Sequence, residues 1–167
     1  HYLNKIALNF EKKYIMLSIR KAIKEDVPAI MEIYNEAIVN TTATFDTEPK
    51  SLQNRLEWFE NRDENFPIFV AQRGGLIVGY VALNKWSERK AYDVTAEISL
   101  YILPDFRHSG IGKQLLDELI NIAKEERINQ MRWHVLDWNE NAINFYKKYP
   151  VTFDSSWITV KIEKENL

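Results

Sequence analysis

Apolar and polar residues alternate along this chain in two distinct rhythms. Leu17 to Lys21 reads as a strand, with Leu17 and Ile19 separated by polar neighbours. Val27, Ile30, Met31, Tyr34, Ala37 and Ile38 then mark one face of a helix, with Asp26 placed to cap it and Pro28 suited to its first turn. Asn40 to Phe45 is polar and β-branched and predicts a loop or a short strand. Ser51 can cap a second helix that turns Leu52, Leu56, Trp58 and Phe59 inward. Pro67 to Gln72 and Leu76 to Leu83, separated by Gly74-Gly75, predict a hairpin. Thr95 to Leu103 is a further strand that stops at Pro104-Asp105.

Ile111, Leu115, Leu116, Leu119, Ile122 and Ala123 follow as the strongest helical stripe. Met131 to Leu136 predicts a strand, Asn139 to Tyr149 a helix, and Trp157 to Ile162 a last strand. The order mixes strands and helices, and no internal repeat, low-complexity run or linker interrupts it. These features predict one α/β (α+β) domain over residues 16–167, with a mixed, mostly antiparallel central sheet flanked by helices. Met16 resembles a natural start, so residues 1–15 read as an extension, native or artificial, without a role.

Composition narrows the function. With 167 residues, 46% of them hydrophobic, the chain can bury the core of one domain. A net charge of −2 gives no general affinity for nucleic acid or for an anionic membrane, and no apolar run reaches the length of a membrane span. The absence of cysteine removes disulfides, thiolate metal sites and a cysteine nucleophile.

The run Arg107-His108-Ser109-Gly110-Ile111-Gly112-Lys113 lies between a predicted strand and a predicted helix. Free backbone N–H groups and the positive end of a helix dipole converge at such a junction, which suits a phosphate or pyrophosphate. A Walker loop is excluded, because Arg107 stands at the first glycine and Gln114 replaces the Ser/Thr that holds magnesium. A dinucleotide fingerprint is excluded by spacing and by its late position in the chain. What remains is Gln/Arg-x-x-Gly-x-Gly/Ala, carried by Arg107, Gly110 and Gly112.

That motif resembles the acetyl-CoA-binding motif of the GNAT N-acetyltransferase superfamily. Three further stretches resemble it too. Asn40-Thr41-Thr42-Ala43-Thr44-Phe45-Asp46-Thr47-Glu48-Pro49, after Ile33-Tyr34-Asn35-Glu36-Ala37, is similar to the loop after the first helix of phosphinothricin and methionine-sulfoximine acetyltransferases. Ala91-Tyr92-Asp93-Val94-Thr95-Ala96-Glu97 with Leu100-Tyr101-Ile102 is similar to the central strand of the same enzymes. Leu136-Asp137-Trp138-Asn139-Glu140 with Ala142-Ile143-Asn144-Phe145-Tyr146-Lys147 resembles the closing helix, in wording nearer the diamine and thialysine acetyltransferases. The resemblance spans roughly Ile19 to Ile162.

The resemblance implies direct acetyl transfer from acetyl-CoA to an amine, without a metal. An ammonium must lose a proton before it attacks. Glu97, on the central strand amid apolar neighbours, is the candidate base; the alternative is a Glu paired with Arg or a hydroxyl. Tyr146 is the candidate acid for the departing thiolate; the alternative is a core tyrosine with its hydroxyl at the rim. Leu100, Tyr101 and Ile102 would offer backbone groups to the pantetheine arm. Arg107, His108, Ser109, Gly110, Ile111, Gly112 and Lys113 would cradle the pyrophosphate. Asn139 would hold the CoA arm or simply cap a helix. Phe45, Trp86, Tyr92 and Thr95 would line the acceptor pocket. Arg89 would bind an acceptor carboxylate, or else belongs to the charged surface run Glu88-Arg89-Lys90.

Two departures from the family pattern bear on the acceptor. Ser87 follows Trp86 where the phosphinothricin enzymes favour Arg, and Pro150-Val151 replaces the usual Gly with Phe or Ala after Tyr149. The expected function is acetyl transfer to a small amine, an amino acid or analogue, by a cytoplasmic homodimer with no nucleic-acid or membrane partner. The alternatives are a diamine, thialysine or protein N-acetyltransferase and, from another class, a non-catalytic acyl-CoA sensor.

Overall fold

The computed structural model describes residues 16–126 and 128–154, which divide into two units, 16–133 and 134–154. The predicted strand Trp157 to Ile162 and the segment 1–15 lie outside the described residues. The first unit holds a five-stranded sheet whose spatial order follows the chain: β1 (Leu17–Lys21), β2 (Ile68–Arg73), β3 (Leu76–Lys85), β4 (Thr95–Ile102) and β5 (Gln130–Arg132). The first four strands are antiparallel, and β5 runs parallel to β4. The mixed, mostly antiparallel sheet expected from the sequence is therefore present.

Gly74 and Gly75 join β2 to β3 with φ of 59° and 81°, the left-handed pair that a tight hairpin of matching twist requires. Three helices accompany the sheet: α1 (Val27–Asn40), α2 (Leu52–Glu60) and α3 (Ile111–Glu125). Ile30 and Ile33 of α1 pack with Ile68, Val70, Tyr80 and Ala82, so α1 covers the sheet face that these strand residues share. Trp58 and Phe59 of α2 close the edge of that cluster. Strand alternation turns Phe69, Ala71, Val81, Leu83 and Ile98 to the opposite face. There they are buried with the Ile111, Leu115, Leu116 and Leu119 stripe of α3.

Four local expectations need correction. Asp26 stands at the N-cap of α1 but makes no side-chain cap. Its carboxylate is taken by Arg20 of β1, at 2.7 and 2.8 Å, and by the Ile23 N–H at 2.9 Å. Leu52 is 42% exposed, whereas Arg55 is the buried residue of α2, its guanidinium 3.8 Å from the Trp58 ring centre. A cation on an aromatic face is concealed from an apolar-periodicity reading. β5 ends at Arg132 rather than Leu136, because only Thr95–Glu97 of β4 pair with it. In the second unit α4 (Glu140–Tyr146) is shorter than the predicted Asn139 to Tyr149. Pro150 disfavours helical backbone at the residue before it, and the chain leaves the helix in a turn.

Candidate active site

β4 carries the centre of the site. The Leu103 N–H donates to Val78 O at 3.0 Å and the Trp86 N–H to Thr95 O at 3.4 Å. The register between them is unbroken. Alternation therefore directs the backbone groups of Thr95, Glu97, Ser99 and Tyr101 toward β3, and those of Ala96, Ile98, Leu100 and Ile102 toward the other edge. Because β5 pairs only as far as Glu97, the edge from Ile98 to Ile102 has no strand partner within the first unit. Of the three residues expected to offer backbone groups to a pantetheine arm, Leu100 presents both of its own on this edge, and Ile102 its N–H, its carbonyl being taken by Arg107. Tyr101 spends its own on β3. Its ring packs 5.2 Å from Tyr34 and 5.5 Å from Tyr80.

The open edge leads through the turn Pro104–Phe106 into the predicted anion loop. Gly110 at φ 83° turns the chain into α3, and His108 also takes positive φ, 57°. Space around Gly110 is open: a side-chain carbon there would meet nothing within 4 Å. The helical ladder starts with Gln114 N donating to Gly110 O at 3.2 Å, which leaves the N–H groups of Ile111 and Gly112 in the first turn without intrahelical acceptors. Arg107 braces the loop. Its Nε donates to Ile102 O at 2.9 Å and its Nη2 pairs with Glu36 of α1 at 3.0 Å. Ser109 Oγ donates to Phe106 O, and Lys113 pairs with Asp117 one turn on. An exposed rim of amides at the positive end of a fifteen-residue helix fits a pyrophosphate, and the strand edge beside it fits an amide-bearing arm.

Glu97 is half-buried on the β4 face that also bears Ser99 and Tyr101. Its register partner on β3 is Asn84, and on β5 it is Arg132. Asn84 Nδ2 donates to Ser99 Oγ at 3.0 Å, and Arg62 Nη1 donates to Asn84 Oδ1 at 3.1 Å. Arg62 also donates to Phe66 O and Leu83 O. Burial, with Arg55 nearby, pulls its pKa down to about 10.

Thr95 is buried at the start of β4, and Trp86 lies across from it on the same face. Arg132 stands over the Trp86 ring, 5.5 Å from its centre. Neither Arg132 nor the Arg62–Asn84–Ser99 chain was found by reading motifs; only the sheet register brings them beside Glu97. Arg89 is exposed, and its carbonyl closes the turn Lys90–Tyr92 by accepting from the Tyr92 N–H at 2.8 Å. Phe45 is 88% exposed on the α1–α2 loop. That loop is held at the other end of β4. Tyr101 Oη donates to Ala43 O at 3.5 Å, and Tyr34 Oη donates to Asp46 at 2.6 Å and bonds Thr44. Burial, then the bond to Asp46, pushes the Tyr34 hydroxyl up to about 12.

In the second unit Asn139 caps α4, its Oδ1 accepting from the Ala142 N–H at 3.2 Å. Tyr146 ends that helix, half-buried, its ring 5.1 Å from Phe145. Among the described residues no helix is long and apolar enough to cross a membrane, and no three His, Cys, Asp or Glu side chains group as a metal site.

The Acetyltransferase (GNAT) family model matches residues 28–149. The chain is 35% identical over 133 residues to an L-methionine sulfoximine/L-methionine sulfone acetyltransferase of Pseudomonas aeruginosa, covering 78% of this chain and 77% of that one. Its structure is similar to that of an N-acetyltransferase from Staphylococcus aureus, with a TM-score of 0.76 at 36% identity, over 80% of this chain and 81% of the other. It is also similar to a phosphinothricin acetyltransferase of Sinorhizobium meliloti in complex with acetyl-CoA. There the TM-score is 0.75 at 30% identity, over 79% and 72% of the two chains. The chain belongs to the GNAT acetyltransferase family, and its class is that of an acyltransferase.

Proposed function

We propose that this protein transfers the acetyl group of acetyl-CoA directly to the amine of a small amino acid or amino-acid analogue. The observation that carries this reading is the continuous path from the unpaired edge of β4, beside Glu97, to the open amides at the start of α3. The named acceptor of the Pseudomonas relative, an amino-acid analogue, supports the substrate class. Acetyl-CoA supplies an activated acyl group as a thioester. Glu97 accepts the proton of the incoming ammonium, directly or through a water. The Leu100 N–H, on the open edge, donates to the thioester oxygen as charge grows there. Ile111 and Gly112 hold the pyrophosphate by their amides. In this reading Tyr146 returns a proton to the departing thiolate. The family match across 28–149 supports one functional domain, which in this reading works as a cytoplasmic homodimer.

A hollow of about 1120 Å³ gives a second reading some support. It opens at the end of α2 and carries Glu57, Asp63, Glu88, Asp93 and Glu126 beside Arg62 and Lys85, an excess of acidic over basic side chains. Such a wall suits a diamine acceptor. Release of free thiol from acetyl-CoA, followed with methionine sulfoximine, phosphinothricin, common amino acids, thialysine and spermidine, separates the two readings. Turnover confined to amino acids and their analogues is expected. Turnover confined to the polyamine favours the hollow, and acetyl-CoA binding without turnover on any amine favours a sensor.

A further inference from the structure

Among the described residues Arg55 is the one arginine or lysine that the fold buries, with 7% of it exposed. It stands on α2, its Cζ 3.8 Å from the Trp58 ring centre and 4.8 Å from the Tyr34 ring centre. Aromatic rings attract a guanidinium but do not replace acceptors for the N–H groups at its edge. Its Nε is sealed from water and meets no acceptor. Its terminal nitrogens are not sealed, yet no carboxylate or carbonyl among the described residues bonds them. Tyr80, at the centre of β3, repeats the pattern. The residue is 2% exposed, and its hydroxyl, not sealed, has no hydrogen-bond partner among the described residues. Of the groups that favour the charged Arg55 against burial, Tyr80 comes first, which puts the two polar ends in one neighbourhood. The other charges there are engaged. Asp46 pairs with Lys50 and takes the Tyr34 hydroxyl. Arg62, 4.6 Å from the same Trp58 ring, gives its N–H groups to Phe66 O, Leu83 O and Asn84. A buried charge is costly without a partner, and this neighbourhood is cationic and supplied with unused donors.

We propose that Arg55 and the Tyr80 hydroxyl hold a small inorganic anion, of the size of chloride, between α2 and β3. The sealed Nε withdraws one side of the guanidinium from a bidentate carboxylate, and the little exposure left at the two side chains admits an ion rather than an organic acid. The anion balances a cation that Trp58 and Tyr34 hold but do not neutralise. It joins α1, α2 and β3 at one point, so the stability of the fold depends on it. Register sets Tyr80 opposite Tyr101, four residues or about 13 Å along β4 from Glu97, so the ion stands apart from the proposed acetyl transfer. The inference holds whether or not Glu97 is the base.

The test is thermal unfolding of the full chain in sodium chloride against sodium gluconate at equal ionic strength, gluconate being too large to enter. The wild-type Tm should rise by about 5 °C in chloride and then level off, as binding at one site requires. Arg55→Met, which keeps an apolar stem against Trp58, should melt at the same temperature in both salts. Tyr80→Phe keeps the ring and loses the donor, and should need about fivefold more chloride for half of the shift. It decides the matter if the methionine variant does not fold. Equal melting of the wild-type chain in the two salts would overturn the inference. So would the wild-type chloride shift persisting in Arg55→Met, or an unchanged half-saturation in Tyr80→Phe.

Discussion

In the proposed reading Glu97 owes its role to position: a carboxylate on β4, with Asn84 and Arg132 in register on either side. If it takes the proton from the acceptor, Glu97→Gln should lower kcat/KM at neutral pH by about a hundredfold. The deficit should shrink as pH approaches the acceptor amine's own pKa, where the acceptor needs no base. A rate–pH profile identical to wild type would remove Glu97 from the chemistry. Asp26 illustrates a structural carboxylate by contrast. Burial works to raise its pKa, but the Arg20 bonds and the Ile23 N–H outweigh it and hold the group below the usual carboxylate range. Its stabilising effect is therefore complete above the unfolded pKa of about 3.9 and is lost as pH falls through the lower folded value. Asp26→Asn should cost about 2 kcal/mol at neutral pH and flatten the acid limb of a denaturation series. An unchanged acid limb would contradict this assignment. The sequence could nominate Glu97 by residue type and neighbours. It could not reveal Arg132 or the Arg55–Trp58 stack, because those contacts join residues that no local pattern links.

At the scale of elements, the hairpin glycines, the β4 stripe and the α3 stripe were legible because each rests on local chemistry: positive φ, period two and period 3.6. Ser51 was legible for the same reason, and its side chain accepts from the Asn54 N–H at 3.2 Å as a cap should. What failed locally failed for tertiary reasons. Asp26 left its cap for Arg20, and β5 ended where β4 stopped pairing; the shortening of α4 by Pro150 is the local exception. The loop before α3 is the element on which the proposed donor site depends. Gly110→Ala places a side chain at φ 83°, a conformation that costs an L-residue about 1–2 kcal/mol. Because the space around it is open, the strain must appear as a shift of the loop rather than a clash. The KM for acetyl-CoA should rise about tenfold with little change in the KM for the acceptor, the signature of about 1.4 kcal/mol lost at one site. Equal changes in both constants would place the damage in the fold rather than in the loop.

Within the first unit, the edge of β4 from Ile98 to Ile102 has no strand partner among the described residues, and the proposed chemistry is placed there. The antiparallel strands β1 to β4 bury Tyr80, Ala82 and Leu83 at the centre and give β4 a rigid partner on one side. The short parallel β5 leaves the other side open beyond Glu97. The mixed sheet and the acetyltransferase class were readable from the order of elements and from motifs spread along the chain. The acceptor was not, since the proposed pocket draws on side chains of separate strands and loops. The central claim is that this edge carries an acetyl group from acetyl-CoA to the amine of a small amino acid. The most direct test is mass spectrometry of the product formed with acetyl-CoA and L-methionine sulfone, with fragmentation to locate the added group. The account predicts a single acetyl group on the α-nitrogen, formed in proportion to the thiol released. Thiol release with no acetylated amino acid, or no product at all with acetyl-CoA bound, would contradict it.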